Sequence, residues 1–190
     1  MAEILKTARL VLRAPDEGDI DRLVELAGDY EVSKMLAVVP HPYERDHAED
    51  WIAHCGEVAG DEERSFAIDD GNGLIGAVSF RRLRESPRIG YWLGRPYWGM
   101  GYMSEAAHAA LTWLFSVHDV TSVVAEAMRD NPASIAVLRK LGFADDGEGS
   151  CDSRARGAAL PSLQLRLQRN AFLTTTQAVA GGQAGKELIG

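Results

Sequence analysis

The clearest pattern in the chain is a helical repeat of hydrophobic residues over Met103–Phe115. These residues recur at intervals of three and four, at positions 103, 106, 107, 110, 111, 114 and 115. That spacing places them on one face of an amphipathic helix. Weaker repeats predict a helix after Asp19, a candidate N-cap, and another from about residue 44 to 59. A last helix is predicted over 132–142, since proline favours the first helical position and glycine the end.

Short apolar runs between these helices predict strands. They are residues 10–12, 65–68, 74–80, 89–93, 121–127 and 162–167. Asp69–Gly73 contains the glycine and asparagine that adopt the positive φ of a hairpin turn. The order of elements predicts a mixed α/β (α+β) fold, in which a mostly antiparallel sheet has one parallel crossover and flanking helices. We place the residues that follow Phe143, Asp152 among them, in a loop.

Composition narrows the class of protein. The chain has 190 residues, 46% hydrophobic and 25% charged, which is typical of one globular domain. A net charge of −8 argues against nucleic acid as a partner and leaves room for a cationic substrate. Two cysteines without zinc spacing, no leader and no long apolar run lead us to expect a cytoplasmic protein with no metal and no membrane span. We assign residues 1–172 to the domain and 173–190 to a C-terminal tail or arm.

One segment carries the chemical signal. A strand that ends at Leu93 is followed by Gly99-Met100-Gly101 and then by the long helix. The first turn of a helix has unpaired N–H groups and the positive end of the helix dipole. Two glycines at this junction let the main chain approach a bulky anion such as pyrophosphate.

This segment resembles the coenzyme-A loop of the GNAT N-acetyltransferases, in particular of their RimJ/RimL-like branch. The likeness lies in Tyr97–Tyr102 followed by Ser104–Ala106. Three further stretches agree in the same order: Thr7–Arg13, Gly73–Gly76, and Asn131–Ser134 with Lys140–Phe143 behind it. The resemblance spans about residues 7 to 172. It implies the GNAT acyl-CoA N-acyltransferase fold, with acetyl-CoA as cosubstrate.

The resemblance also implies a place for each part of acetyl-CoA. The pantetheine arm follows the strand, with Trp92 and Leu93 as contacts and the Leu93 N–H facing the thioester carbonyl. Asn131 orders the cofactor or a water, and Ser134 donates a hydrogen bond to the sulfur. Asn131 suits a helix N-cap equally well, and serine is common in a first helical turn. The pyrophosphate lies on the backbone of Gly99, Met100, Gly101, Tyr102 and Met103.

Departures from the family pattern leave questions open. The first signature position of the loop is Pro96, but contacts at the glycines are main-chain and tolerate this change. Many relatives carry a tyrosine that protonates the thiolate where this chain has Leu138. The general base stays open among Glu126, Asp152 and water, because each carboxylate also suits a solvated surface. Ser134 and Glu126 are therefore the candidate catalytic residues.

Several other groups favour a structural interpretation over a functional one. His47 and His54 share a helix face but lack the ligands of a metal site. Cys55 falls on an apolar helix face and suits the core. Glu105 is a favourable charge at a helix N-terminus. The arginines at positions 81, 82, 84 and 88 suit a solvated hairpin or a contact with an anionic group.

The predicted activity is transfer of an acetyl group to a primary amine, of a protein N-terminus or a small molecule, by direct attack. The resemblance further implies a homodimer. One alternative is a non-catalytic acyl-CoA-binding module, which Leu138 and the unassigned base allow. Another is a dinucleotide-binding oxidoreductase, because Gly99-x-Gly101-x-x-Ser104 comes close to the fingerprint and Glu126 to its ribose-binding acid. Antiparallel strands before this unit, and too few residues after it, argue against the oxidoreductase.

Overall fold

The computed structural model describes residues 3–58 and 60–174. Its centre is an eight-stranded sheet with helices on both faces. The strands are β1 (Leu5–Lys6), β2 (Val11–Arg13), β3 (Arg64–Asp69), β4 (Leu74–Arg81), β5 (Arg88–Leu93), β6 (Ser122–Met128), β7 (Ala144–Ser153) and β8 (Ala158–Gln168). The helices named below are α1 (Ile20–Ala27), α2 (Tyr30–Ser33), α3 (Arg45–Glu57), α4 (Tyr102–Val117) and α5 (Pro132–Lys140). Residues 175–190 of the predicted tail lie outside the described residues.

The strands lie in the order β1-β2-β3-β4-β5-β6-β8-β7. Every neighbouring pair is antiparallel except β5 and β6. This confirms the predicted mixed sheet with one parallel crossover, and α4 supplies the long connection that parallel strands require. β5 and β6 align at a single pair, Arg88 with Val124, and diverge beyond it. Their divergence opens a cleft in the middle of the sheet.

α4 covers one face of the sheet and forms most of the core there. Its buried side chains include Ala106, Ala110 and Leu111, as the helical repeat predicts. They belong to one hydrophobic cluster with Phe66 and Phe80, which are fully buried on the sheet. Burial of one leucine or phenylalanine side chain contributes about 1.5–3 kcal/mol, so this face provides much of the stability of the fold.

α1 and α3 cover the opposite face with a smaller hydrophobic cluster. Leu23 and Leu26 of α1 and Ala48 of α3 pack there with Ala67 and Leu74 of the sheet. The cleft between β5 and β6 therefore has a layer of helix on each side. Among the described residues, no helix has the length and apolar character needed to cross a membrane.

β7 corrects the prediction of a loop after Phe143. Residues 144–153 pair with β8, so Asp152 lies in a strand. β7 is at the edge of the sheet and most of its side chains are exposed, so its sequence has no alternation of apolar residues. β1 and α2 also escaped prediction, because two and four residues are too few for a periodic signal.

Asp19 is the N-cap residue of α1, as predicted, but its side chain makes no hydrogen bond to the first turn of α1. Its carboxylate is buried and lies 2.7 Å from the guanidinium of Arg13, which also binds Asp69 at 3.1 Å. One turn earlier, Asp16 is the N-cap residue of a capping box in which Asp19 Oδ2 accepts from the Asp16 N–H at 3.0 Å. Asp19 therefore ties α1 to β2 through an ion pair.

Candidate active site

A cavity of about 690 Å³ occupies the cleft between β5 and β6. Its walls come from β4, β5, β6, the segment before α4, the first turn of α4, α5, and several residues between 32 and 39. Because the cleft interrupts the sheet, residues from both faces line it. We name the part that faces α4 and α5 the α4 side, and the part that faces α1 and α3 the α1 side.

The main chain of β5 turns hydrogen-bonding groups into the cleft. Gly94 donates to the Ile75 carbonyl at 2.8 Å, which fixes the phase of the antiparallel ladder between β4 and β5. Alternate residues of such a ladder bond the neighbouring strand. Tyr91 and Leu93 therefore direct their N–H and C=O groups away from β4 and toward the cleft. The Leu93 carbonyl accepts a 2.7 Å hydrogen bond from Trp98 Nε1, whereas no strand among the described residues pairs with the Leu93 N–H on the cleft side.

Trp92 has the opposite orientation. Its main chain faces β4, and its side chain packs with the smaller cluster on the α1 side. Contacts between Trp92 and a bound molecule must therefore come from its side chain. A Cβ on Gly76 would lie 2.3 Å from the Trp92 carbonyl oxygen, so only glycine allows the two strands to approach this closely. This gives a physical reason for the glycine that ends the Gly73–Gly76 motif.

The segment between β5 and α4 has the predicted strand–loop–helix form. Gly99 and Gly101 have φ values of 76° and 78°, in the left-handed region that favours glycine. α4 begins at Tyr102 with Gly101 as its N-cap, and no side chain caps it. The N–H groups of Tyr102, Met103 and Ser104 therefore have no partner within the helix. Together with the helix dipole, they form a site suited to an anion.

Arg9 braces this glycine loop, a contact that the sequence analysis did not assign. Its Nη1 donates to the Met100 carbonyl at 3.0 Å, and its guanidinium lies 4.5 Å from the centre of the Tyr102 ring. Glu105, in the first turn of α4, accepts hydrogen bonds from Arg9 Nε at 2.7 Å and from the Thr7 hydroxyl at 2.6 Å. Burial alone would raise the pKa of Glu105, but these hydrogen bonds lower it below its usual value. The Thr7–Arg13 motif thus anchors the loop to the start of the chain.

Tyr91, Asn131 and Ser134 meet where α5 begins. Asn131 is the N-cap, and its Oδ1 accepts from the Ser134 N–H at 3.1 Å. The Tyr91 hydroxyl lies 3.1 Å from Ser134 Oγ and also 3.1 Å from the Ser134 carbonyl oxygen. Burial raises the pKa of Tyr91 to about 12 although its hydrogen bond with Ser134 lowers it. Tyr91 therefore stays protonated near neutral pH, and it stands beside Ser134 as a donor.

Glu126 faces the cavity from β6. Its Oε1 accepts a 2.6 Å hydrogen bond from the Ser162 hydroxyl, and its Oε2 lies 3.7 Å from Arg88 Nη1. Asp152, the other carboxylate considered as a base, is exposed on β7 and is not among the residues that line the cavity. Within the described part of the chain, Glu126 is the one acidic residue of the cavity wall.

The two cysteines are free thiols in different surroundings. Cys151 lines the cavity, and burial, followed by the charges of Glu126 and Asp152, raises the pKa of its thiol. Cys55 is partly exposed on α3 and belongs to neither hydrophobic cluster, so its predicted core position is wrong. Burial raises the pKa of Cys55 as well. Near neutral pH neither cysteine is an activated thiolate.

The histidines of α3 make local polar contacts. His47 Nδ1 accepts from the Glu44 N–H at 3.0 Å, and His54 Nε2 lies 3.1 Å from the Glu63 carboxylate. Over residues 3–58 and 60–174, no group of His, Cys, Asp and Glu has the arrangement of a metal site. These contacts place His47 and His54 on a polar surface of α3, as the sequence predicts.

Comparison with known proteins yields a family and a full-length relative. Residues 9–144 match the family described as "Acetyltransferase (GNAT) domain". The uncharacterized N-acetyltransferase p20 of Bacillus licheniformis is 28% identical over 176 residues, which cover 90% of this chain and 98% of that protein.

Two solved structures show the same fold. An acetyl transferase of Salmonella typhimurium, which modifies the N-terminal serine of a 50S ribosomal subunit protein, has a TM-score of 0.76 and 22% identity, with 87% of this chain and 99% of that chain covered. Spermidine N-acetyltransferase of Vibrio cholerae, in complex with CoA and spermine, has a TM-score of 0.74 and 19% identity, with 88% and 99% covered.

Proposed function

Since the chain belongs to the GNAT family of N-acetyltransferases, we propose that it transfers an acetyl group from acetyl-CoA to a primary amine by direct attack, as a member of the RimJ/RimL-like branch. The observation that carries this proposal is the divergence of β5 from β6. It leaves the cleft-facing main chain of Tyr91 and Leu93 without a neighbouring strand. It also leads directly to the uncapped N-terminus of α4.

The hydrogen-bond donors on the α4 side match the groups of acetyl-CoA. The N–H groups from Gly99 to Met103 suit the pyrophosphate, because they combine a positive helix end with exposed main chain. The main-chain groups of Tyr91 and Leu93 suit the amides of the pantetheine arm, which would occupy the place of a missing strand. We assign the Leu93 N–H as the donor that stabilises the oxyanion.

The acceptor amine must be neutral when it attacks. Its nitrogen forms a bond to the acetyl carbonyl carbon, and the carbon–sulfur bond breaks. One proton leaves the nitrogen, and one reaches the departing sulfur. We assign the first transfer to Glu126, directly or through water, because it is the carboxylate of the cavity wall in the described residues. Ser162 holds the Glu126 carboxylate in place through its 2.6 Å hydrogen bond.

We assign the second proton to Ser134, supported by Tyr91. The Tyr91 hydroxyl has two acceptors at 3.1 Å on Ser134, the carbonyl oxygen and Oγ. Tyr91 can therefore donate to the carbonyl while Ser134 donates to Tyr91. When Ser134 donates to the sulfur instead, Tyr91 can turn to Ser134 Oγ. This arrangement supplies a hydroxyl donor where Leu138 replaces the usual tyrosine, and Asn131 holds the start of α5 in place.

Thiol release from acetyl-CoA across a panel of amines tests this function, beside calorimetric binding of coenzyme A. We expect coenzyme A to bind and one class of amine to release thiol. Binding without thiol release from any amine would favour a non-catalytic acyl-CoA-binding module. Absence of binding would contradict the assignment of the glycine loop.

The cytoplasmic location and the homodimer implied by the family resemblance stay predictions. Sedimentation velocity measures the oligomeric state directly. Fractionation of cells that produce the full chain tests the compartment. Neither result changes the chemistry proposed for the cleft.

A further inference from the structure

Two arginines lie side by side on the α1 side of the cavity. The register of β4 and β5 pairs Arg81 directly with Arg88, and both residues line the cavity. Like charges that face each other on neighbouring strands are unfavourable for the sheet. Their side chains are about half exposed, at 51% and 45%, so a molecule in the cleft can reach them.

Within the described residues, each guanidinium has a long ion pair with a carboxylate but no hydrogen bond to one. Arg81 Nε lies 3.9 Å from Glu63, and Arg88 Nη1 lies 3.7 Å from Glu126. Both distances exceed the limit of about 3.2 Å for an N–H···O hydrogen bond. The other two arginines of the sequence cluster differ, because Arg82 binds Glu85 at 2.7 Å and Arg84 binds Asp61. The cluster thus divides into two arginines that are hydrogen-bonded to carboxylates and two that line the cavity with only longer ion pairs.

Glu126 places a negative charge beside the positive charge of Arg88 on the cavity wall. It is the acidic residue of the cavity wall, and its Oε2 lies within 3.7 Å of Arg88. An amine near Glu126 would therefore place a neighbouring group of the same molecule near Arg88. The guanidinium of Arg88 suits a carboxylate, which it binds through charge-assisted hydrogen bonds, and Arg81 on the neighbouring strand adds a second positive charge to this wall. The rest of this wall is largely apolar and includes Val32, Met35, Leu36 and Trp92.

We infer that the acceptor is an amine that carries a carboxylate within a few bonds of its nitrogen, with an apolar group attached. An α-amino acid with an apolar side chain has this chemistry, and so has a peptide N-terminus with an acidic residue beside it. The inference rests on the proposed function. It also disfavours polyamines, since the cavity wall carries two positive charges against one negative charge although the whole chain has a net charge of −8.

Matched acceptors test this inference. We expect leucine to release thiol from acetyl-CoA with a kcat/KM about tenfold or more above that of leucinamide, because a charge-assisted hydrogen bond is lost with the carboxylate. Spermidine should react more slowly still. The dipeptide amide leucyl-aspartamide, with leucine at its N-terminus, supplies the carboxylate from the aspartate side chain. Its kcat/KM, compared with that of leucine, identifies which source of the carboxylate the site prefers.

Substitution of Arg88 provides a second test with the same acceptors. Arg88→Gln should raise KM for leucine about tenfold and change KM for leucinamide much less, whereas Arg88→Lys should restore part of the preference. Arg84→Gln, which removes a charge from the same hairpin but not from the cavity, should change neither acceptor. The inference is overturned if leucinamide or spermidine equals leucine, or if Arg88→Gln lowers kcat equally for every acceptor.

Calorimetry separates this inference from the proposed activity. Leucine should bind the complex with coenzyme A, and Arg88→Gln should weaken that binding about tenfold. This result without thiol release would contradict the proposed activity and leave the carboxylate site standing. Equal binding of leucine and leucinamide would overturn the carboxylate site whatever the activity.

Discussion

The two sides of the cleft are built from different parts of the chain. The α4 side offers main-chain donors, namely the cleft-facing N–H groups of β5 and the uncapped first turn of α4, with the side chains of Tyr91 and Ser134 beside them. The α1 side presents side chains, among them Arg81, Arg88 and Glu126. Main-chain sites demand a particular backbone path and therefore glycine at fixed positions. A side-chain site can change its chemistry without a change of fold. The main-chain site therefore suits the acetyl donor, and the side-chain site suits an acceptor that is particular to this chain.

Ser134→Ala gives the sharpest test of this division. We expect kcat to fall about 100-fold or more, because a positioned proton donor typically contributes that factor. The affinity for coenzyme A should stay within about twofold, since the serine side chain is separate from the main-chain site. Ser150→Ala on the exposed edge strand is the matched control. Unchanged kcat in steady-state thiol release would remove Ser134 from the mechanism.

Gly101→Val should damage the main-chain site alone. A β-branched residue at a φ of 78° is strained by about 1–3 kcal/mol, which corresponds to roughly a tenfold to hundredfold loss of coenzyme A affinity. Gly56→Ala in α3 provides the control, because a Cβ there meets no atom within 4 Å. Calorimetric titration with coenzyme A measures both. An affinity for Gly101→Val equal to that of the native chain would show that the left-handed turn is dispensable.

The difference between main-chain and side-chain sites also explains what could be predicted from the sequence. α4 was predicted from its hydrophobic repeat, β4 from a short apolar run, and the glycine loop from its position between strand and helix. The contact of Tyr91 with Ser134 joins residues 43 positions apart, and no local pattern reports it. The pairing of Arg81 with Arg88 depends on the register of two strands. Such contacts can be assigned only from the three-dimensional structure, because the sequence of each element does not determine which other element packs beside it.

Tyr91→Phe tests the relay with a smaller expected effect. We expect kcat to fall about three- to tenfold, because Ser134 keeps its hydroxyl but loses a donor beside it. The pKa of Tyr91 is raised to about 12, so the native enzyme should lose no activity through its ionisation up to about pH 10. Tyr30→Phe, on the exposed surface, serves as control. A pH profile in which Tyr91→Phe equals the native chain would confine Tyr91 to packing.

The contact of Glu105 with Arg9 should give the smallest effect. The pKa of Glu105 is lowered in the folded chain, so its stabilisation is present above the unfolded value of about 4.3 and is lost as the pH falls through the folded value. Glu105→Gln should therefore lower the free energy of unfolding by about 0.5–1 kcal/mol at pH 7, since Arg9 is partly screened by solvent. The difference from the native chain should shrink below about pH 4. Urea unfolding at both pH values measures it, and a difference independent of pH would contradict the ion pair.

The edge strand β7 has a consequence for how copies of this chain meet. An open strand edge invites a second sheet to continue it, which leads to fibres and aggregates. β7 carries Asp145, Asp146 and Glu148 on exposed positions, and its pairing with β8 is irregular between Asp145 and Gly147. Their partners are Arg139, Arg166 and Arg129, so a joining strand would have to displace three ion pairs and follow a bent edge. The strand that escaped prediction because it is polar thus resists growth of the sheet by edge-to-edge pairing.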